Sequence, residues 1–253
     1  MSPRRTAAER KRSRVSIGIV CCDRAEYLRA TLESTRASLT TFAQPVEWLA
    51  YVNGRSSAVD RVLEEANLDV RLESPKNRGF APALDEVYRA SSGEYFLGLE
   101  DDWRCLAPTP EWLELAVAIL DEHPDVGVVR LRQLDDGQCG HFTRHLREVA
   151  LRHHPWSVKP LPSIVETRRI RDRPFYVAPA EFVNWTNNPT LCRRGVRDWI
   201  GPMVSYLPDP RDHRPREGHP GLEGAIDTRW RKGPWKVAKL LDGPFTHIGD
   251  VPA

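Results

Sequence analysis

The sequence predicts an α/β chain whose core is a doubly wound, mostly parallel sheet flanked by helices. Over residues 15–105, β-branched apolar runs alternate with segments of helical period, the pattern of a parallel sheet with crossover helices. Each apolar run also stops at polar or glycine residues rather than fading out, which fixes where each strand ends. Finally, the chain is 253 residues long, 28% charged and carries a net charge of +2, enough for one sizeable core with no excess of basic charge for binding nucleic acid.

"VSIGIVCCDR" (15–24) reads as a buried strand that delivers Asp23 and Arg24 at its carboxyl end. "AEYLRATLESTRASL" follows, with Leu28, Leu32 and Leu39 at helical spacing. "EWLAYVNG" is a second strand broken at Asn53-Gly54, "SAVDRVLEEA" a second helix and "DVRLES" a third strand. "NRGFAPALDEVYRAS" opens on a glycine turn and continues as a helix, with Pro82 in its first turn, where a missing N–H costs little. "GEYFLGLEDDWRCL" (93–106) is the fourth strand and runs into three consecutive acids.

The second half is less regular. "PEWLELAVAILDEHPD" is a helix with Trp112, Leu115, Ala116 and Ile119 in one stripe, and "VGVVRLRQL" a strand. Residues 138–180 mix basic, aromatic and proline residues with no period that assigns them. "RRGVRDWIG" and "GLEGAIDTRWRK" read as helices, "LPDPRDHRPREGHPG" (207–221) as a loop and "PWKVAKLL" as a late strand. The division expected is a basic disordered tail over 1–14 followed by two halves of one domain, 15–105 and 106–253.

Five cysteines without C-x-x-C spacing, and no apolar run of membrane-spanning length, point to a reduced, cytoplasmic chain. The basic tail permits a peripheral contact with an anionic surface.

The chemistry concentrates at Glu100, Asp101 and Asp102. Adjacent carboxylates repel one another and resist burial unless a cation joins them. In doubly wound sheets ligands sit beyond the carboxyl ends of the strands. Asp23, Asn53 and the acids should therefore share one crevice. Hard oxygen ligands there suit Mg²⁺ or Mn²⁺.

The first half resembles the family 2-type glycosyltransferases of the GT-A fold. "VSIGIVCCDRAEYLRATLES", "VNGRSS" and "NRGFAPALDEVYRASSGEYFLGLEDD" carry the resemblance over residues 15 to about 105, and "NNPTLCRRGV", "GLEGAIDTRW" and "FTHIG" extend it weakly. The resemblance implies an enzyme that moves a sugar from a nucleotide-sugar to a hydroxyl acceptor, with a divalent metal (Mn²⁺ or Mg²⁺) and inversion at the anomeric carbon. The D-x-D-type motif falls on Glu100, Asp101 and Asp102, with Asp102 as metal ligand and Glu100 and Asp101 at the donor. Cys22, Asp23, Arg24, Asn53, Asn77 and Arg78 fall around the nucleotide and diphosphate. Glu223 falls on the catalytic base, with Glu217 and Asp227 as rival carboxylates, and His247 on a late metal-ligating histidine.

The chain departs from the family pattern in three places. Val52 replaces the aspartate that usually reads the base, Cys21-Cys22 replaces a Thr-Tyr pair, and Gly224 follows Glu223 where an acid is usual. The donor is thus open among uridine-, guanosine- and thymidine-linked sugars. The acceptor is open among polysaccharide, lipid-linked glycan and natural product.

Two other enzyme classes fit less well. Neither the G-x-G-x-R loop of nucleotidyltransferases nor the G-x-G-x-x-G of dinucleotide oxidoreductases follows the first strand. A non-catalytic sugar- or nucleotide-binding module, or a partner subunit with a degenerate site, is the alternative reading.

Overall fold

The computed structural model describes residues 13–133, 165–209 and 221–249. A nine-stranded mixed sheet runs in the order β3-β2-β1-β4-β9-β6-β10-β8-β7. The first half supplies β1 (Val15–Cys21), β2 (Val46–Asn53), β3 (Val70–Ser74) and β4 (Tyr95–Glu100), all parallel. Helices α1 (Ala25–Ser38), α2 (Ser57–Glu65) and α3 (Phe80–Ala90) connect them. The second half adds α4 (Glu111–Glu122), β6 (Val126–Arg130), β7 (Glu166–Ile170), β8 (Arg173–Pro179), β9 (Thr190–Arg193), α5 (Arg194–Ile200), α6 (Gly221–Trp230) and β10 (Lys236–Leu240). Strand β9 lies antiparallel between β4 and β6, and β10 runs parallel to β6. A separate two-stranded ribbon pairs β5 (Trp103–Cys105) with β11 (Phe245–His247).

The fully buried strands β1 and β2 feed two apolar layers, because successive side chains alternate across the sheet. Ile17, Ile19 and Cys21 pack with α1, α2 and α4, whereas Val20, Leu49 and Tyr51 pack with α3, α5 and α6. Gly18 makes the second layer possible. A Cβ there would lie 2.3 Å from Val87 Cγ1 and 2.9 Å from the Phe96 ring, so α3 seats directly on the backbone of β1.

The order β3-β2-β1-β4 reverses between β1 and β4. That reversal is the topological switch point, where α1, which leaves β1, and α3, which leads into β4, lie on opposite faces and a crevice opens. The paired registers bring Cys21, Asn53, Ser74 and Glu100 to the same edge of the sheet.

The unassigned stretch of the sequence resolves in part as the β7–β8 hairpin. Its two-residue turn, Arg171-Asp172, has φ of 46° and 64°. Of the tail expected over 1–14, Ser13 and Arg14 belong to the folded body. Ser13 is buried, and Arg14 pairs with Asp121 at 2.6 Å and Glu94 at 3.1 Å. Cys139, His213, Glu217 and His219 lie outside the described residues. No helix among the described residues is long and apolar enough to cross a membrane.

Candidate active site at the strand switch point

The acid turn Asp101-Asp102 is held from three sides. From α1, the Thr31 hydroxyl donates to the Asp101 carbonyl (2.7 Å) and accepts from the Trp103 N–H (3.1 Å). From beyond β11, the Ile248 N–H donates to the Asp102 carbonyl (2.9 Å). From the end of β1, the Arg24 guanidinium grips both side chains: Nη1 donates to Asp102 Oδ2 (2.7 Å) and Nη2 donates to Asp101 Oδ1. The two aspartates are 2% and 4% exposed, so their charge is withdrawn from water and rests on these partners.

Helix α1 contributes more than one hydroxyl. Ser34 accepts from the Cys105 N–H at 3.1 Å, and Ser38 accepts from Trp112 Nε1 at 3.2 Å. Thr31, Ser34 and Ser38 lie on one helical face; the first two satisfy backbone N–H groups of β5, and Ser38 accepts from the Trp112 indole and the Cys105 thiol.

The β5–β11 ribbon sets His247 opposite Trp103. The imidazole lies over the Trp103 ring at 4.9 Å between centroids, and its Nε2 is 3.2 Å from Asp102 Oδ2. Asp102 Oδ1 is buried and has no hydrogen-bond partner among the described residues. A Cβ at Gly249 would lie 2.5 Å from Asp102 Oδ2, so the absence of a side chain there keeps the front of the carboxylate clear. An orphaned carboxylate oxygen, an adjacent imidazole and a cleared approach fit a hard divalent ion. Among the described residues no group of three or more His, Cys, Asp or Glu side chains could hold a metal by itself. Asp102 and His247 would offer such an ion two protein ligands and leave the rest of its shell to other donors.

Burial is the main force on the other two acids. It pushes Asp101 up to about 6 even though Arg24 pulls the other way. It pushes Glu100 up to about 7, with the charges of Asp102, Glu223 and Asp101 adding to the effect. Glu223 is thus close enough for Glu100 to feel it, although the two come from opposite halves of the chain.

Glu223, in the first turn of α6, is exposed. Its Oε1 accepts from Thr186 Oγ1 (3.1 Å) and from the Asn187 N–H (2.5 Å). Its Oε2 carries no hydrogen bond among the described residues. The rival Asp227 has both oxygens occupied. Oδ1 accepts from the Trp185 N–H at 2.6 Å, and Oδ2 pairs with Arg231 at 2.7 Å.

The remaining predicted residues surround the crevice in different roles. Asn53, 4% exposed, accepts from the Arg78 N–H (2.8 Å) and donates to the Gly79 carbonyl (2.9 Å), so it fastens the turn before α3. Gly79 has φ of 91°, which suits glycine, and its N–H donates to Asn77 Oδ1 (2.9 Å). Arg78 pairs with Glu86 at 2.5 Å and is half exposed. The Cys22 thiol donates to the Asn53 carbonyl at 3.1 Å, and Asp23 is exposed beside it. Trp103 is buried, Trp185 packs against Trp230 at 5.3 Å, and Trp199 stays 39% exposed.

Thr31, Asn187 and Gly249 lie within the stretches that carry the resemblance and Thr186 just outside one, yet no motif singles any of them out as part of the site. Single hydroxyls, an amide and a glycine become legible only from what they touch.

The chain belongs to glycosyl transferase family 2, whose family model matches residues 16–181. No curated protein sequence matches it. Solved structures share its fold. The mannosyltransferase PcManGT from Pyrobaculum calidifontis, in complex with GDP-Man and Mn²⁺, is 16% identical with a TM-score of 0.52, the match covering 79% of this chain and 50% of that one. S. aureus TarS 1–349 is 14% identical with a TM-score of 0.54, covering 92% and 59%. Glucosyl-3-phosphoglycerate synthase from Mycobacterium tuberculosis, with Mn²⁺, UDP and phosphoglyceric acid, is 17% identical with a TM-score of 0.52, covering 95% and 72%. The chain thus spans between half and three quarters of the length of these structures.

Proposed function

We propose that the protein transfers a sugar from a nucleotide-sugar donor to a hydroxyl acceptor, with the help of a divalent metal ion and with inversion at the anomeric carbon. The observation that carries this reading is the buried Asp102 at the switch point, with its unpartnered Oδ1 and with His247 Nε2 3.2 Å from Oδ2. Asp102 and His247 are the residues to hold Mn²⁺ or Mg²⁺. The ion, when bound, neutralises charge on the departing diphosphate. GDP-Man, UDP and Mn²⁺ in the structures of similar fold support that choice of ligands.

The chain's own residues divide the remaining work. Asn53 and Asn77 shape the turn that presents Arg78 to the nucleotide side of the crevice. Arg24 offers a planar fork suited to phosphate oxygens, and Asp23, Cys22, Glu100 and Asp101 line the donor side. Glu223 acts from the acceptor side. Thr186 and Asn187 fix its Oε1, which leaves Oε2 to take the proton from the acceptor hydroxyl. The acceptor oxygen bonds to the anomeric carbon as the bond from that carbon to the diphosphate oxygen breaks. Attack from the face opposite the leaving group inverts the centre. The engagement of both Asp227 oxygens favours Glu223 over Asp227 as base.

A donor screen with UDP-, GDP- and dTDP-sugars in Mn²⁺ or Mg²⁺ tests the reading. Asp102→Ala and Glu223→Gln should each lose on the order of 10²-fold or more in turnover. Full activity in both variants refutes the assignment. Nucleotide-dependent thermal stabilisation without turnover in the wild type would instead identify a binding module.

A further inference from the structure

Arg24 differs from the other groups at the acid turn in one respect: its side chain is 41% exposed, whereas those of Asp101 and Asp102 are 3% and 5% exposed. Its backbone is fixed, since its carbonyl accepts the first helical bond of α1 from the Leu28 N–H at 3.0 Å. Its side chain makes no capping bond. The guanidinium stands 5.7 Å from the Tyr27 ring centroid, a second surface on which a guanidinium can rest. A fixed root, a long stem and an open outer face let the guanidinium leave the acids without disturbing either strand.

The oxygen it holds is also the one that faces the imidazole. Asp102 Oδ2 receives Arg24 Nη1 at 2.7 Å and faces His247 Nε2 at 3.2 Å. A divalent ion ligated by Asp102 and His247 would put two positive charges beside the guanidinium, and like charges held on the same buried carboxylates repel one another. A diphosphate removes the conflict, because its oxygens match the Arg fork as well as two carboxylate oxygens do.

We propose that Arg24 competes with the divalent ion for the Asp101–Asp102 pair, and that a nucleotide diphosphate relieves the competition by accepting the Arg24 guanidinium. Arg24 thereby makes metal binding and donor binding mutually dependent. The proposal rests on the metal-dependent reading above and adds to it a built-in order: the ion binds weakly until the diphosphate arrives.

The test is Mn²⁺ binding to the full chain, read by the electron paramagnetic resonance signal of free Mn²⁺, with and without UDP or GDP. The proteins are wild type, Arg24→Gln and Arg24→Lys, each first checked for a cooperative melt. Without nucleotide, Arg24→Gln should bind Mn²⁺ about 10-fold more tightly than wild type, and the nucleotide should raise wild-type affinity by a larger factor than it raises that of Arg24→Gln. Arg24→Lys, which keeps the charge, should stay close to wild type without nucleotide. Equal or weaker Mn²⁺ binding by Arg24→Gln, or an equal nucleotide effect in both, overturns the competition while leaving the metal reading in place. Absence of Mn²⁺ binding in every protein with either nucleotide overturns both.

Discussion

At the scale of single residues, the acid turn depends on groups that carry no charge. Thr31 donates to the Asp101 carbonyl and accepts from the Trp103 N–H, so one hydroxyl holds the backbone on both sides of Asp102. Thr31→Val keeps the shape and leaves two buried backbone groups without their partner. We expect a loss of about 1–3 kcal/mol in urea unfolding together with weaker Mn²⁺ binding. Unchanged stability would mean that the turn is held by Ile248 and Arg24 alone. Gly249 plays the complementary part, since its missing Cβ leaves room in front of Asp102. The sequence marks the acids through their charge, but nothing in it separates Thr31 from Thr35, the other threonine of α1.

At the scale of elements, the crevice exists because α3 lies close to β1 on the face opposite α1. Gly18 permits that approach. Gly18→Ala drives a methyl into Val87 and Phe96 and should cost about 1–3 kcal/mol through overpacking. Adding Val87→Ala removes the nearest obstructing atom, so the double variant should be more stable than the sum of the two single losses predicts. Strict additivity in denaturant unfolding would show that α3 moves instead. The β7–β8 hairpin shows why one element escaped the sequence reading. Two-residue hairpin turns with positive φ favour Asn-Gly or Asp-Gly, whereas this one is Arg171-Asp172. The β5–β11 ribbon escaped for another reason: its strands are three residues each and pair across most of the chain, so neither shows a period.

At the scale of the whole molecule, the second-half strands are joined to the sheet by an ion-pair network at one edge. Asp125, just before β6, accepts two bonds of 2.9 Å from Arg168 on β7 and lies 3.2 Å from Lys236 Nζ on β10. Glu166 joins both cations. The hydrogen bond from Arg168, and after it that from Lys236, holds the Asp125 carboxyl well below the usual carboxylate range, and the same two partners lower Glu166. Below pH about 4 the unfolded chain takes up the protons first. The stabilisation is therefore fully present above that pH and is lost as pH falls. Asp125→Asn should cost about 1 kcal/mol at pH 7, a figure discounted because the pair is partly exposed, and the gap from wild type should narrow as pH drops below 4. A gap that does not change between pH 7 and pH 3 would show that Asp125 acts by packing alone.

The sequence by itself determined the parallel half-sheet, its connecting helices and the position of the acid cluster at a strand end. Each of these rests on local information: β-branched runs, helical periods, glycine turns and adjacent like charges. Only the tertiary structure decided which distant groups meet that cluster. His247 reaches Asp102 because β11 pairs with β5. Glu223 comes within electrostatic reach of Glu100 because α6 starts beside the 186–187 turn, whereas both Asp227 oxygens are claimed by Trp185 and Arg231. Those meetings follow from pairing and packing across long stretches of chain, which no run of neighbouring residues encodes.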